Sequence, residues 1–294
     1  MNKIIQNDER LFCSGHVACG GCAEALSLKV VMNTVGPDTI AVVSPSCLAV
    51  ICGGYPLTSL KIPLFHTTIE SAAASAVGVK HALIAKGKPD TTVLCLAGDG
   101  GTYDIGFQAL SSAAERNEDI LYVCFDNEGY MNTGGQKSSS TPHGAVTGST
   151  PAGKLTHKKN LIEIMAAHRI PYIATATTAD LNDLSKKIAK AKSIRGTKMI
   201  VILTPCLPGW GVADNAAVKI SRLAVDARVF PLLEVINGVE YKLSEPTRPV
   251  EVKDYLALQK RYAHLSDDDI AEITREVKAD WQVLKARVAA NAGE

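Results

Sequence analysis

The chain has 294 residues, 46% hydrophobic and 21% charged, with a formal net charge of +1. Such a chain can bury a substantial core, and its near-neutral charge gives no electrostatic reason to expect nucleic acid or an anionic membrane as partner. The start, MNKIIQNDERLF, has no apolar h-region or small-residue cleavage site, and the apolar run Ile40 to Leu57 is broken by Ser44, Pro45, Ser46, Gly53 and Gly54. Neither a secretory leader nor membrane insertion is expected, which makes a cytoplasmic location the expectation. For such a location eight cysteines are many, and they point to metal or redox chemistry before disulfides.

In chain order, Ala23 to Thr34 reads as a helix and Thr39 to Ser44 as a buried strand. Ser71 to Gly87 reads as a helix of small residues suited to close packing, stopped by Gly87. TTVLCLAG is a strand, Asp104 to Arg116 a helix, and DILYVCFDN a strand. Gly129 to Lys154 is a long loop of the length that signals function or disorder. Asn160 to His168 and Leu181 to Ser193 read as helices around the strand PYIATAT, and KMIVILTPC follows as a strand. Short apolar strands alternating with helices predict an α/β fold, a parallel sheet covered on both faces. From about Pro231 the pattern changes: VINGVEYKL suggests a hairpin around Asn237-Gly238, and Val252 to Ala290 is charged and helical, with Ser266 to Asp269 as a capping box. Residues 1–230 are thus expected to form the ligand-binding domain. Residues 231–294 are expected to form a helical C-terminal extension, lying on the core or on partner subunits.

Asp99 and Asn127 stand at the ends of two apolar strands separated by one helix. A strand of seven residues spans roughly 23 Å and a helix of thirteen returns roughly 20 Å, so both residues reach one carboxyl edge of the sheet. Open α/β sheets bind ligands at that edge. Gly98, Gly100 and Gly101 allow a bulky anion to approach the backbone, and a carboxylate with an amide oxygen suits Mg²⁺ carrying phosphate oxygens. Either motif alone reads as a turn; the matched pair favours a diphosphate held through a divalent ion.

Cys19 and Cys22 form a C-x-x-C that could be a redox pair, half a zinc site or two buried thiols. Cys47 and Cys206 each follow a strand, so four thiolates could converge beside the diphosphate site, a set that suits zinc or a [4Fe–4S] cluster equally. Cys95, Cys124 and Cys52 read as core residues, and Cys13 as an alternative ligand. His66 and Glu70 read either as polar groups of the site or as part of a strand-to-helix connection that Thr67 or Thr68 could cap, and this loop is expected to take some part in the site. His16 could fall near the cysteines or only orient its loop, His143 reads as exposed, and Trp210 as a cover on the cysteine side or at an interface.

GDG followed at this distance by DN resembles the thiamine diphosphate motif. The longer GDGGTYDIGFQALSSAAERNEDILYVCFDNEGYMNTGGQKSSSTPHGA resembles the β subunit of pyruvate:ferredoxin oxidoreductases, as do GHVACGGCAEAL, FHTTIESAAASAVG, PCLPGW and PVEVKDYLALQKRYAHL. The resemblance implies a thiamine diphosphate-binding fold in which Asp99, Asn127 and the Gly129 carbonyl ligate Mg²⁺. It places Asn132 in the active site near the thiazolium and Glu24 near the cofactor, and makes Cys19, Cys22, Cys47 and Cys206 the ligands of a proximal [4Fe–4S] cluster. It implies oxidative decarboxylation of pyruvate with coenzyme A as co-substrate, giving acetyl-CoA, with electrons passing to ferredoxin or flavodoxin. The glutamate that activates the cofactor would come from an α subunit, so activity requires α, γ and δ partners. The family's frequent YMNTGIQ reads YMNTGGQ here, which places Gly135 where isoleucine is common and keeps other 2-oxoacids (phenylglyoxylate, oxalate, branched-chain acids) in view. A non-oxidative thiamine decarboxylase or synthase, which has no use for four cysteines, and a zinc-stabilised assembly subunit are the rival classes.

Overall fold

The computed structural model describes residues 10–291. Its centre is an eight-stranded sheet in the order β2-β1-β3-β4-β6-β5-β7-β8. The first six, β1 (Thr39–Val43), β2 (Leu64–His66), β3 (Thr92–Gly98), β4 (Leu121–Asp126), β5 (Tyr172–Thr177) and β6 (Lys198–Leu203), run parallel. β7 (Leu233–Ile236) and β8 (Glu240–Leu243) add an antiparallel ribbon along β5. The expected parallel α/β sheet is therefore present and carries an antiparallel edge. Beyond residue 230 the chain first continues this sheet. Asn237 and Gly238 turn the ribbon at positive φ, 51° and 73°, as an Asn-Gly pair permits. Gly238 is required there, since a Cβ would fall 2.2 Å from the Ala166 carbonyl oxygen.

Strand alternation sorts the core into two layers. Val42, Val93, Cys95, Tyr122 and Cys124 face one side, while Val43, Leu94, Leu96, Val123 and Phe125 face the other. The second layer lies under α1 (Ala23–Val35), α2 (Cys47–Cys52) and α6 (Leu181–Ser193). The first lies under α3 (Ala72–Ala85), α4 (Phe107–Glu115), α5 (Leu161–Ala167) and α8 (Ala217–Asp226). Cys52, Cys95 and Cys124 are buried, as core thiols should be.

Differences from the sequence expectation are local. α2 arises where Ser46 caps the helix, its Oγ accepting from Leu48 N at 3.2 Å, inside a run that had read as interrupted. The helix expected from Asp104 begins later, because Gly100–Ile105 forms a wide π-type turn that breaks at Asp104 (φ −108°, ψ −106°) before α4. α7 (Leu207–Trp210) and α8 were not anticipated. The helical stretch expected over Val252 to Ala290 divides into α9 (Val252–Leu256), a 3₁₀ turn Lys260–Tyr262, and α10 (Asp267–Asn291). At the start of α10 the capping box forms: Ser266 N donates to Asp269 Oδ2 at 2.8 Å, and Asp269 N to Ser266 Oγ at 3.2 Å.

Candidate functional site

β1, β3, β4 and β6 are consecutive neighbours, and their carboxyl ends lead into Cys47, Asp99, Asn127 and Cys206 respectively. After β1 the chain steps to β2 on one side and then to β3 on the other, so this edge contains the switch in strand order where open α/β sheets take ligands. α1 leads into β1 and runs back against the strand direction. Its N-terminus, with Cys19 and Cys22 just before it, therefore lies at the same edge.

Two adjoining cavities open there. One is lined by Cys19, Cys22, Cys47 and Cys206 together with Glu24, Asn127 and Asn132. The other is lined by Gly98, Asp99, Gly100, Gly101 and Gly129, and again by Cys47, Asn127 and Asn132. Cys47, Asn127 and Asn132 face both, which joins the cavities into one composite site. Glu24, Gly98, Asp99, Gly100, Gly101, Asn127, Gly129, Asn132 and the four cysteines Cys19, Cys22, Cys47 and Cys206 all line it. Cys13 lines neither cavity.

The polar atoms of the site are unevenly satisfied. Asn127 Nδ2 donates to Glu24 Oε1 at 2.6 Å, which fixes the amide and leaves Asn127 Oδ1 as an acceptor. Asn127 Oδ1 and Glu24 Oε2 are both buried without a partner. Buried polar atoms are rarely left so, and two in one site mark a place for a ligand or ion. Burial pushes the Glu24 carboxyl up to about 7, against the opposing donation from Asn127, so this group can give or take a proton near neutrality. Asp99 is buried and receives the Ser138 hydroxyl. Burial, then the neighbouring Asp126 carboxylate, hold it well above the usual range. A divalent cation would reverse that balance. An anionic oxygen from Asp99 and an amide oxygen from Asn127 make a donor set that fits Mg²⁺.

The thiols fit a soft, positively charged group. Burial raises Cys22, Cys47 and Cys206, Cys206 to about 11, and Glu24 and the neighbouring thiols raise Cys47 and Cys206 further. Four thiolates here would repel one another unless iron or another metal compensated them. Among the described residues no group of three or more His, Cys, Asp or Glu side chains is gathered to hold a single metal ion. Four thiols lining one cavity are a donor set that suits a zinc ion or an iron–sulfur cluster.

The glycines act in more than one way. A Cβ at Gly100 would meet Tyr130 Cε1 at 2.2 Å, so the Tyr130 ring occupies the space that Gly100 leaves. Tyr130 Oη donates to the Gly100 carbonyl at 3.2 Å and to Asp104 Oδ2 at 3.0 Å. At Gly98 the neighbour is Ser46 Cβ, at 3.1 Å.

Behind the site lies a buried network that sequence reasoning missed. Asp126 accepts from Ser140 Oγ at 2.6 Å, Lys158 Nζ at 2.7 Å and Tyr103 Oη at 3.2 Å. Glu128 accepts from Arg261 Nη2 at 2.7 Å and Lys158 Nζ at 3.1 Å. The long loop after Gly129 is consequently ordered by its hydroxyls: Ser138, Ser140 and Thr141 are buried and bond to Asp99, Asp126 and the Glu128 carbonyl. A charged pair at the end of an apolar strand, as in CFDNE, was the available signal.

Other candidates are placed elsewhere. Trp210 is fully buried in this chain, and its Nε1 donates to the Asn127 carbonyl at 2.9 Å. His143 is half-buried, not exposed, with Nδ1 3.0 Å from Glu276 Oε1. His16 stacks on Phe12 at 4.6 Å. His66 Nε2 meets the Gly53 carbonyl at 3.1 Å, and Glu70 accepts from Thr68 Oγ1 at 2.7 Å on the surface. Ser71, not Thr67 or Thr68, occupies the N-cap position of α3, and its side chain makes no capping hydrogen bond.

Fold and site together define a thiamine diphosphate-binding α/β domain, and comparison with known proteins agrees. Residues 48–202 match the family described as thiamine pyrophosphate enzyme, C-terminal TPP binding domain. The chain is 44% identical over 289 residues to pyruvate synthase subunit PorB of Methanocaldococcus jannaschii, covering 94% of this chain and 97% of that one. It is 42% identical over 290 residues to ketoisovalerate oxidoreductase subunit VorB of Pyrococcus abyssi, covering 94% and 93%. The chain belongs to the family of thiamine diphosphate-binding β subunits of 2-oxoacid:ferredoxin oxidoreductases. Its fold is similar to that of 2-oxoglutarate:ferredoxin oxidoreductase from Magnetococcus marinus, with a TM-score of 0.60 at 24% identity over 70% of each chain.

Proposed function

We propose that this β subunit serves a pyruvate synthase type of enzyme, oxidising pyruvate with coenzyme A to acetyl-CoA and CO₂. The observation that carries the reading is the shared lining: Cys47, Asn127 and Asn132 face both the four-cysteine cavity and the Asp99 cavity. An enzyme that decarboxylates and then removes electrons needs its two cofactors adjacent, and a non-oxidative thiamine enzyme would have no use for the cysteines. Thiamine diphosphate, when bound, supplies the decarboxylation chemistry. Asp99, Asn127 and the Gly129 carbonyl would hold its Mg²⁺, and Cys19, Cys22, Cys47 and Cys206 a [4Fe–4S] cluster. Asn132 is exposed at the junction of the cavities, where a substrate arrives. Glu24 orients Asn127 and offers a carboxyl that can hold or release a proton near pH 7.

The α, γ and δ subunits are the partners in this reading, with ferredoxin or flavodoxin as acceptor and the cytoplasm as location. Among the described residues no helix is long and apolar enough to cross a membrane. A branched-chain 2-oxoacid is the second reading. The 42% identity to a ketoisovalerate oxidoreductase subunit supports it. The test is viologen reduction by the anaerobically purified native complex with pyruvate or 2-ketoisovalerate, with and without coenzyme A. Fast coenzyme A-dependent reduction with pyruvate supports the first reading; a preference for 2-ketoisovalerate replaces it with the second.

A further inference from the structure

Asn127 is followed by a residue in an unusual conformation. Glu128 is buried and takes φ 63°, a left-handed geometry that a side chain adopts only where its surroundings enforce it. Four contacts do so. Its N–H donates to Asp126 Oδ1 at 3.0 Å, and its carbonyl accepts from Thr141 Oγ1 at 2.7 Å. Its carboxylate is shared between Lys158 and Arg261. One residue earlier, the Asn127 carbonyl is held by the Trp210 indole N–H.

Arg261 connects these contacts. Its guanidinium lies 3.7 Å from the centre of the Trp210 ring while Nη2 bonds Glu128 Oε2. The plane is itself fixed, because Nε donates to Gln259 Oε1 at 2.8 Å and the side chain is only 3% exposed. A planar cation that stacks and bonds at once is a task for arginine that lysine cannot duplicate. Trp210 ends α7, which begins directly after Cys206, so the stacked pair also touches the segment that brings Cys206 to the edge.

We propose that Arg261 is a positioning residue of the cofactor site: through Trp210 and Glu128 it clamps the turn Asn127–Gly129 and aims the Asn127 side chain. This rests on the reading of Asn127 as a ligand of the Mg²⁺–diphosphate. Arg261 lies in the 3₁₀ turn between α9 and α10, so the C-terminal segment contributes to the site without lining it. Outer contacts of this kind typically change metal affinity by about 10- to 100-fold.

The test uses the purified complex, stripped with a chelator and reloaded with Mg²⁺ and thiamine diphosphate, with bound cofactor measured by equilibrium dialysis well below the melting temperature. Arg261→Ala should weaken Mg²⁺-dependent cofactor binding by about tenfold, with Arg261→Lys intermediate. Trp210→Phe keeps a ring under the guanidinium and loses the N–H donor, and should also weaken binding. Wild-type affinity in Arg261→Ala, even with a lowered melting temperature, would reduce Arg261 to a structural residue and overturn the proposal. If Arg261→Ala fails to assemble, wild-type affinity in Trp210→Phe overturns it. A wild-type complex that binds no thiamine diphosphate would overturn the ligand reading itself, an outcome distinct from both.

Discussion

Lys158 offers the sharpest test of the network behind the site. Its ammonium lies 2.7 Å from Asp126 Oδ2 and 3.1 Å from Glu128 Oε1, and the two carboxylates are 0% and 3% exposed. Burial alone would depress its pKa; Asp126 and Glu128 instead raise it above the usual lysine range. In Lys158→Met, Glu128 keeps Arg261, whereas Asp126 loses its cation and retains only neutral donors from Ser140, Tyr103 and the Glu128 amide. Removing one member of a buried pair costs about 3 to 5 kcal/mol. The Lys158 side chain is 27% exposed and three donors to Asp126 survive, so the low end applies, about 3 kcal/mol. At about 2 to 4 °C per kcal/mol for large domains, Tm should fall by about 6 to 12 °C. Thermal unfolding and urea titration of the purified chain measure this. The double variant Lys158→Met, Asp126→Asn should recover at least about 1 kcal/mol, because the buried charge then disappears. If the single variant melted with wild-type protein, or the double variant were worse by the sum of both singles, the ionic account of this network would be wrong.

At the opposite edge of the sheet, burial opposes ionisation of Asp119, but hydrogen bonds from Lys198 and Lys80 and the nearby charges outweigh it and bring the carboxyl to about 2, from an ordinary 3.8. A depressed carboxyl stabilises the fold above its unfolded pKa and loses that contribution as pH falls through the folded one. Asp119→Asn should therefore cost up to about 2 kcal/mol at pH 6 and almost nothing near pH 2, measured by urea unfolding at both values. Burial of Lys198, which lowers its own pKa, reduces that figure. Gly100→Ala should cost about 1 to 3 kcal/mol by pushing the Tyr130 ring aside, and a crystal structure with Tyr130 unmoved would contradict the packing argument. Ser46→Ala should cost about 1 kcal/mol by removing the cap of α2, read from the same urea titration.

Much of this architecture can be read from the chain because each parallel strand is a short apolar run with punctuation at both ends. Leu181–Ser193 forms as the periodicity predicts, since Asp180 caps it and its side chain accepts from Asn182 N and Asp183 N. The edge bearing Cys47, Asp99, Asn127 and Cys206 is legible for the same reason: crossover geometry forces strand ends together whatever the intervening sequence. What escapes is non-local. Asp126, Lys158 and Arg261 are separated by 32 residues or more, and none has a neighbour in sequence that announces its partner. Trp210 read as a cover because nothing in PGWG reveals that its N–H meets a carbonyl 83 residues away. His143 read as exposed because its partner, Glu276, arrives on α10. α2 was hidden by glycines and a proline that flank six helical residues without entering them.

Two cofactor sites with separate ligands on this one edge are the central proposal. Its most direct measurement is thiamine diphosphate and iron content of the complex, purified anaerobically with Asp99→Ala or with Cys47→Ala in this chain. The expected losses are orthogonal: Asp99→Ala releases thiamine diphosphate and keeps its iron, and Cys47→Ala loses one cluster's iron and keeps thiamine diphosphate. Unchanged contents in both variants would contradict the claim.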